Sequence, residues 1–186
     1  MKELGFKRFF QSVFANPPGT ISCPGGVIVA HTLLVAELYD DKGNFVDKRE
    51  VKDKVVTNAF VNTLVAALWS DAVPLGLIDD FKYHWSGTNT DAESATDTNL
   101  TGGTTGNTRQ TGTQTTGTSS NIYKSVCTIT YGVSSTDGLD IAEHGLFNST
   151  SSTGDTLMDR TLFAKLTVKN GWSIAFTFTI EFTAGG

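Results

Sequence analysis

The stretch TLFAKLTVKNGWSIAFTFTIEFT, residues 161–183, decides the fold class. Apolar and polar residues alternate on both sides of Asn170-Gly171, as in two β-strands joined by a tight turn. A three-residue loop, 169–171, keeps the apolar residues of both strands on one face, whereas a two-residue loop would put lysines there. The pattern therefore predicts a β-hairpin with a left-handed Gly171. In its register the opposite residues are Val168 and Trp172, Leu166 and Ile174, Ala164 and Phe176, and Leu162 and Phe178.

The composition of the whole chain favours the same fold class. Among 186 residues there are 28 Thr, 19 Gly and only 4 Pro, a mixture that favours strands and turns over helices. Apolar residues make up 39%, enough for one sizeable core. The sequence therefore predicts a mainly β protein. We expect an antiparallel β-sandwich or jelly-roll-like domain over residues 20–186, preceded by an N-terminal arm at 1–19.

Charge and hydropathy argue against two classes of partner. The net charge is -5 and the basic residues form no cluster, whereas proteins bind nucleic-acid backbones through clustered Lys and Arg. The longest apolar stretch, Val27 to Ala36, is too short for a membrane span. We therefore expect neither direct nucleic-acid binding nor a membrane span. Cys23 and Cys127 have no companion spacing, so both are expected to be free thiols.

The N-terminal segment carries an apolar stripe with helical spacing. Its stripe predicts a helix over residues 1–16 that ends before Pro17-Pro18. Three surfaces remain open as the partner of this stripe: the segment's own domain, another subunit, or a membrane surface. We take the residues of the stripe as candidate assembly contacts: Phe6, Phe9, Phe10, Val13 and Phe14.

Residues 27–70 predict a hairpin followed by one clear helix. The run VIVAHTLLVAELY, Val27 to Tyr39, predicts a central strand that is buried on both faces. The turn at 40–44 reverses the chain, and the charged segment after it predicts an exposed partner strand. From Thr57, a capping residue, apolar residues with a 3.6-residue period predict an amphipathic helix that ends near Ser70.

An aromatic strand and a long polar segment follow. FKYHW, residues 81–85, predicts a short strand in which Tyr83 and Trp85 are candidate surface recognition residues. Together with Trp172 they could stack on a sugar, although packing in the core is the simpler interpretation. Residues 86–120 contain 13 Thr and only three apolar residues, so this segment cannot form a core of its own. We expect a long loop that is functional, disordered or ordered by neighbouring subunits.

The sequence offers no signature of catalysis, of a cofactor or of a metal site. GTQTTG, residues 112–117, lacks the lysine of a phosphate-binding loop, and the acidic turn at 40–47 lacks the spacing of a calcium loop. Glu143 and His144 are neighbours on a predicted strand, so their side chains should point to opposite faces. The histidines are scattered along the chain: His31, His84 and His144. We therefore do not expect an enzyme, and we assign no cofactor or metal.

Three pieces of the C-terminal half resemble a known group of proteins. They are SGTNTDAESATDT at 86–98, EHGLFN at 143–148 and LMDRTLF at 157–163. In this order they resemble poorly characterised virion proteins of tailed bacteriophages, and the resemblance covers roughly residues 80–186. It implies a β-rich component of a virus particle and provides no catalytic residues. Residues 1–56 have no part in the resemblance.

These observations together predict a structural virion protein. Our first expectation is a protein that decorates or cements the capsid, or is otherwise associated with the head. Its partners would be copies of itself and other virion proteins, such as the major capsid or tail proteins, because many modest contacts add up in a symmetric particle. The alternatives are a tail, neck or fibre component, or a module that binds a receptor or a carbohydrate.

Overall fold

The computed structural model describes residues 20–23, 26–69, 80–102, 108–151 and 153–185. The helical arm expected at 1–16 lies outside these ranges. Within them, strands and one helix follow one another along the chain: β1 (Thr20–Cys23), β2 (Gly26–Tyr39), β3 (Phe45–Lys52), α1 (Asn58–Trp69), β4 (Tyr83–Gly87), β5 (Gln110–Thr111), β6 (Thr113–Thr116), β7 (Ile122–Thr130), β8 (Leu139–Phe147), β9 (Leu157–Val168) and β10 (Ser173–Gly185).

The strands form two antiparallel sheets that pack face to face. Sheet A has the order β1-β2-β10-β7-β6, with β3 also paired to β2, and sheet B has the order β5-β4-β8-β9. At one edge of the sandwich, Arg49 of β3 donates hydrogen bonds to the carbonyl oxygens of Ala164 and Lys165 in β9, at 2.9 and 3.2 Å. The predicted mainly β fold with two antiparallel sheets is confirmed.

The core lies between the inner faces of the two sheets. In β10 every second residue is completely buried: Ile174, Phe176, Phe178 and Ile180. The ring of Phe176 lies 6.2 Å from that of Phe163 and 4.7 Å from that of His144, both in sheet B. Burial of each such phenylalanine contributes roughly 1.5–3 kcal/mol, so this row of side chains joins the sheets.

The hairpin predicted at residues 27–56 is confirmed, with one correction. In the turn, the Asp40 carboxylate accepts hydrogen bonds from the backbone N–H groups of Lys42 and Asn44 at 2.9 and 2.8 Å. Strand β3 is largely exposed, and β2 is central between β3 and β10. However, β2 buries only one face, with Leu34 in the core and Leu33 half-buried on the other side. The prediction of two buried faces is wrong, because a strand in a two-layer sandwich turns only one of its faces to the core.

The C-terminal hairpin predicted at residues 161–183 is wrong in its pairing. Strand β9 pairs with β8 in sheet B, whereas β10 pairs with β2 and β7 in sheet A. The Lys169 carbonyl accepts the Trp172 N–H at 3.1 Å, so a tight turn carries the chain from one sheet to the other. Gly171 has φ +79°, as predicted, but Asn170 has no positive φ. The predicted three-residue loop also needs a positive φ at Gly171 alone, so the conformation of this glycine does not distinguish a hairpin from a crossing between the sheets.

Helix α1 confirms the predicted helix and its cap. The Thr57 hydroxyl accepts the N–H of Phe60 at 3.2 Å and donates to the carbonyl oxygen of Leu157. Phe60 is buried, and its ring meets that of Phe81 edge to face at 5.1 Å. The cap and this aromatic pair attach the helix to the start of β9 and to the core.

The described parts of residues 86–120, namely 86–102 and 108–120, are built into the sandwich. Strand β4 extends into this segment as far as Gly87, and β5 and β6 form near its end. Leu100 is 5% exposed and packs in a small cluster with Phe147 and Leu157. The segment has no core of its own, as predicted, but its described part packs against apolar residues elsewhere in the same chain. These residues therefore do not need neighbouring subunits in order to fold.

Candidate functional site

A buried charge network fastens residues 88–102 to the outer face of sheet B. The guanidinium of Arg160, on β9, lies 2.9 Å from the Glu143 carboxylate on β8 and 3.0 Å from the Asp97 carboxylate in the covering segment. Glu143 is completely buried, and the Arg160 side chain is 4% exposed. We call these three residues the Arg160 network.

Backbone groups of the covering segment satisfy the rest of the Arg160 network. The Glu143 carboxylate accepts hydrogen bonds from the N–H groups of Asn89 and Gly102 at 3.4 and 3.1 Å, and Arg160 donates to the Asp91 carbonyl at 3.1 Å. Burial opposes the charge on Arg160, but the hydrogen bonds that its guanidinium donates to Asp97 and Glu143 outweigh this effect and raise its pKa. The guanidinium of Arg160 therefore stays charged, and groups of the same chain accept its hydrogen bonds.

A second buried arginine, Arg109, anchors the chain just before β5. Arg109 is 7% exposed and lies 2.7 Å from the Asp155 carboxylate. It donates to the carbonyl oxygens of Ser149 and Ser151 at 3.0 and 2.7 Å. Its guanidinium also lies 3.5 Å from the centre of the Phe147 ring. These contacts bind the start of β5 to the loop between β8 and β9.

A chain of buried polar side chains crosses the interior of the sandwich. His84 Nε2 lies 2.8 Å from Ser125 Oγ, and His84 Nδ1 lies 2.9 Å from His144 Nε2. All three residues are completely buried. His84 and His144 are far apart in the sequence, but they are neighbours in the structure, which the sequence interpretation of scattered histidines missed. Strands β4 and β8 are paired and place both rings on the inner face.

Burial keeps the two histidines neutral. It lowers the pKa of His84 to about 3 and holds that of His144 well below its ordinary value, where the nearby His84 adds to the effect. Gly112 packs directly against this row of polar side chains. A Cβ at this position would lie 2.7 Å from His84 Nε2 and 2.9 Å from Ser125 Oγ. A serine beside two histidines suggests nucleophilic chemistry, but no substrate atom can reach this hydroxyl in the folded chain.

The structure separates the side chains of Glu143 and His144, as predicted. Glu143 contacts Arg160 and the covering segment outside sheet B, while His144 contacts His84 and Phe176 inside the sandwich. Alternation along a strand explains both positions. These two neighbours therefore do not act together as an acid and a base.

The candidate recognition residues are largely used in packing. Tyr83 and Trp85 are half-buried against the cluster of Leu100, Phe147 and Leu157. Trp85 meets Phe147 edge to face at 6.3 Å, whereas Trp172 packs on the main core. The structure does not bring the three aromatic residues together as one sugar-stacking surface. The candidate contacts Phe6, Phe9, Phe10, Val13 and Phe14 lie outside the described residues.

The structure connects the three sequence pieces that carry the resemblance. Asp97 belongs to SGTNTDAESATDT, Glu143 to EHGLFN and Arg160 to LMDRTLF, and all three meet in the Arg160 network. Sequence reasoning missed this contact. The signal was a glutamate and an arginine inside strands that also carry apolar core residues, because such charges are buried only when they are paired.

In the described part of the chain, no group of three or more His, Cys, Asp or Glu side chains is placed to hold a metal ion. No helix in those ranges is long and apolar enough to cross a membrane. Cys127 is a free, buried thiol. No protein-family model matches this chain, and neither a curated protein nor a solved structure matches it.

Proposed function

We propose that this chain is a structural virion protein of a tailed bacteriophage, one that decorates or cements the capsid or is otherwise associated with the head. The observation that carries the proposal is the meeting of Asp97, Glu143 and Arg160. Each residue comes from one of the three pieces that resemble the virion group. The three pieces that carry the resemblance are therefore in contact with one another in the fold.

The Arg160 network supports a structural role rather than a catalytic one. Its charges are paired with one another and with backbone groups, so they hold the Thr-rich covering segment on sheet B. Removing one partner of a buried pair of this kind costs about 3–5 kcal/mol, because the other charge is left buried without compensation. A particle protein benefits from such a surface, because every repeated contact needs the same shape.

Subunit contacts in this proposal come from the described fold. Three large apolar side chains are exposed on sheet A: Ile28 at 45%, Phe45 at 57% and Val46 at 45%. Phe45 and Val46 begin the edge strand β3, next to the turn at 40–44. Contacts of modest size become strong when they repeat around a particle. The proposal does not depend on the segment 1–16.

Labelling of purified particles tests the proposal. Antibodies raised against the recombinant chain are applied to particles of the bacteriophage that encodes it, followed by gold labelling and electron microscopy. We expect gold on the heads, and mass spectrometry of the same particles should detect the chain. Antibody absorbed with the purified protein is the control. Gold on the tail or neck would support the tail alternative, and particles without the chain would overturn the proposal.

A further inference from the structure

An open groove of about 380 Å³ lies at the edge of the sandwich where β3 approaches β9. Its lining is mainly apolar, with Val51, Ala142, Leu162, Phe163 and Ala164. A cavity of about 150 Å³ holds one benzene molecule, so this groove has room for about two phenyl rings.

A bulge in β9 produces the groove. Ile141 pairs with Leu166 and Glu143 pairs with Leu162, so three residues of β9 stand opposite Ala142 alone. The additional residues bend β9 away from its neighbour.

The backbone groups of the bulge already have partners. Arg49 donates to the carbonyl oxygens of Ala164 and Lys165, and the Glu93 carboxylate accepts the N–H of Leu162. An added β-strand would need these backbone groups. The groove is therefore suited to apolar side chains rather than to another strand.

The N-terminal segment enters the fold next to this groove. Thr20 pairs with Val29 and Lys52 pairs with Leu33, so β1 and β3 lie end to end along one edge of β2. Four residue-to-residue steps along β2 lead from Val29 to Leu33, a distance of about 13 Å. Both strands run antiparallel to β2, so the chain that reaches Thr20 comes from the direction of the end of β3.

We propose that the groove is the docking site of the chain's own N-terminal segment, residues 1–16, whose phenylalanines insert between β3 and β9. The sequence left three partners open for this apolar stripe, and the position of Thr20 favours the segment's own domain. Val51, at the end of β3, lines the groove on the side from which the segment arrives.

The segment is long enough to reach the groove. Phe14 precedes Thr20 by six residues, which span up to about 20 Å when extended. This exceeds the 13 Å or so between the pairing positions of Thr20 and Lys52. Pro17-Pro18 ends any helix before β1, so the stripe can turn toward the sandwich. The proposal concerns the isolated protein and does not require a virion role.

Disulfide trapping tests the docking site in the full-length chain. In a Cys23→Ser background, Ala164→Cys is combined in turn with a cysteine in place of Phe6, Phe9, Phe10 or Phe14. Cys127 stays in place, because burial raises the pKa of its thiol to about 11 and suppresses reaction. After mild oxidation of dilute protein, we expect an intramolecular disulfide in at least one of the four variants, identified by peptide mass spectrometry.

A matched control uses Thr128→Cys in place of Ala164→Cys, since Thr128 is exposed on β7, away from the β3–β9 edge. It should trap none of the four positions. Disulfides that form mainly between molecules would overturn the proposal and assign the segment to a second copy. Failure of all four pairs would overturn it as well.

A charge placed in the groove gives a second measurement. Ala164 is exposed, so Ala164→Glu should be tolerated by the fold itself. We expect this change to lower the melting temperature of the full chain by several degrees, and to have little effect in a chain without residues 1–16. Equal shifts in the two backgrounds would overturn the proposal, because independent changes add.

Discussion

A hydrogen bond of 2.9 Å joins His84 Nδ1 to His144 Nε2 in the middle of the sandwich. The pKa of His84 is lowered to about 3 by burial, and that of His144 also lies well below 6.5. In the unfolded chain both histidines would titrate near 6.5. Below that pH the unfolded chain binds more protons than the folded one, so acidification destabilises the fold.

We expect the free energy of unfolding to fall as the pH decreases from 7 to 5. Below pH 6.5 each histidine contributes up to about 1.4 kcal/mol per pH unit. Asp159 acts in the opposite direction, because burial raises its pKa to about 7, and its stabilising effect is lost as the pH rises through that value. Urea unfolding of Asp159→Asn at several pH values removes this opposing contribution, so the decline should become steeper. A constant stability of this variant between pH 7 and 5 would contradict the neutral pair.

Removal of Arg160 should be costly. Arg160→Met leaves Glu143 buried without its partner, and we expect a loss of about 3–5 kcal/mol in the free energy of unfolding, measured with urea. Lys165→Met is the control, since Lys165 forms a 2.6 Å ion pair with Asp140 but is 69% exposed. The control should change stability little. A similarly small effect of both substitutions would show that the network does not hold the covering segment.

Gly112 should not tolerate a methyl group. In Gly112→Ala the new Cβ would lie 2.7 Å from His84 Nε2, and we expect a loss of about 1–3 kcal/mol as strands or side chains shift. Gly132→Ala is a matched control, because no atom lies within 4 Å of a Cβ placed there. Thermal unfolding of both variants provides the comparison. Equal melting temperatures would show that the edge of the sandwich has room beside His84.

Trypsin provides a test of the packing of residues 86–120. Arg109 is the single basic residue of this segment and is 7% exposed, paired with Asp155. We expect no cleavage after Arg109 in the folded, isolated protein, although the Thr- and Gly-rich composition suggests an accessible loop. Protein unfolded in urea, then digested, is the control and should be cut there. Early cleavage of the folded chain after Arg109 would mean that the segment needs a neighbour.

The sequence patterns predicted the buried face of a strand better than they predicted the strand with which it pairs. The alternation from Trp172 to Phe182 correctly predicted which side chains of β10 share the inner face. A period of two does not say whether the next strand lies beside β10 or in the opposite sheet, so the hairpin between Leu166 and Ile174 was wrong. The two strands instead lie in opposite sheets, where Phe163 of β9 approaches Phe176 of β10 across the core, with 6.2 Å between the ring centres.

The candidate site was harder to predict because its residues are far apart in the chain. Asp97 and Arg160 are separated by 63 residues, and the pair forms only after β8 and β9 have paired and the covering segment has folded over them. A periodic pattern of apolar residues within one short stretch of sequence does not indicate such a contact. A charged residue between apolar residues in a strand was the available signal, and Arg160 in LMDRTLF provides it.

A single residue, Gly112, separates β5 in sheet B from β6 in sheet A. At this edge the two halves of the sandwich are joined by covalent backbone rather than by packing alone. A mechanical load that slides one sheet over the other must therefore first strip β5 from β4 or β6 from β7. The chain also crosses between the sheets from β7 to β8 and at the turn Lys169–Trp172, so main-chain hydrogen bonds beside these crossings contribute to the shear resistance of the molecule.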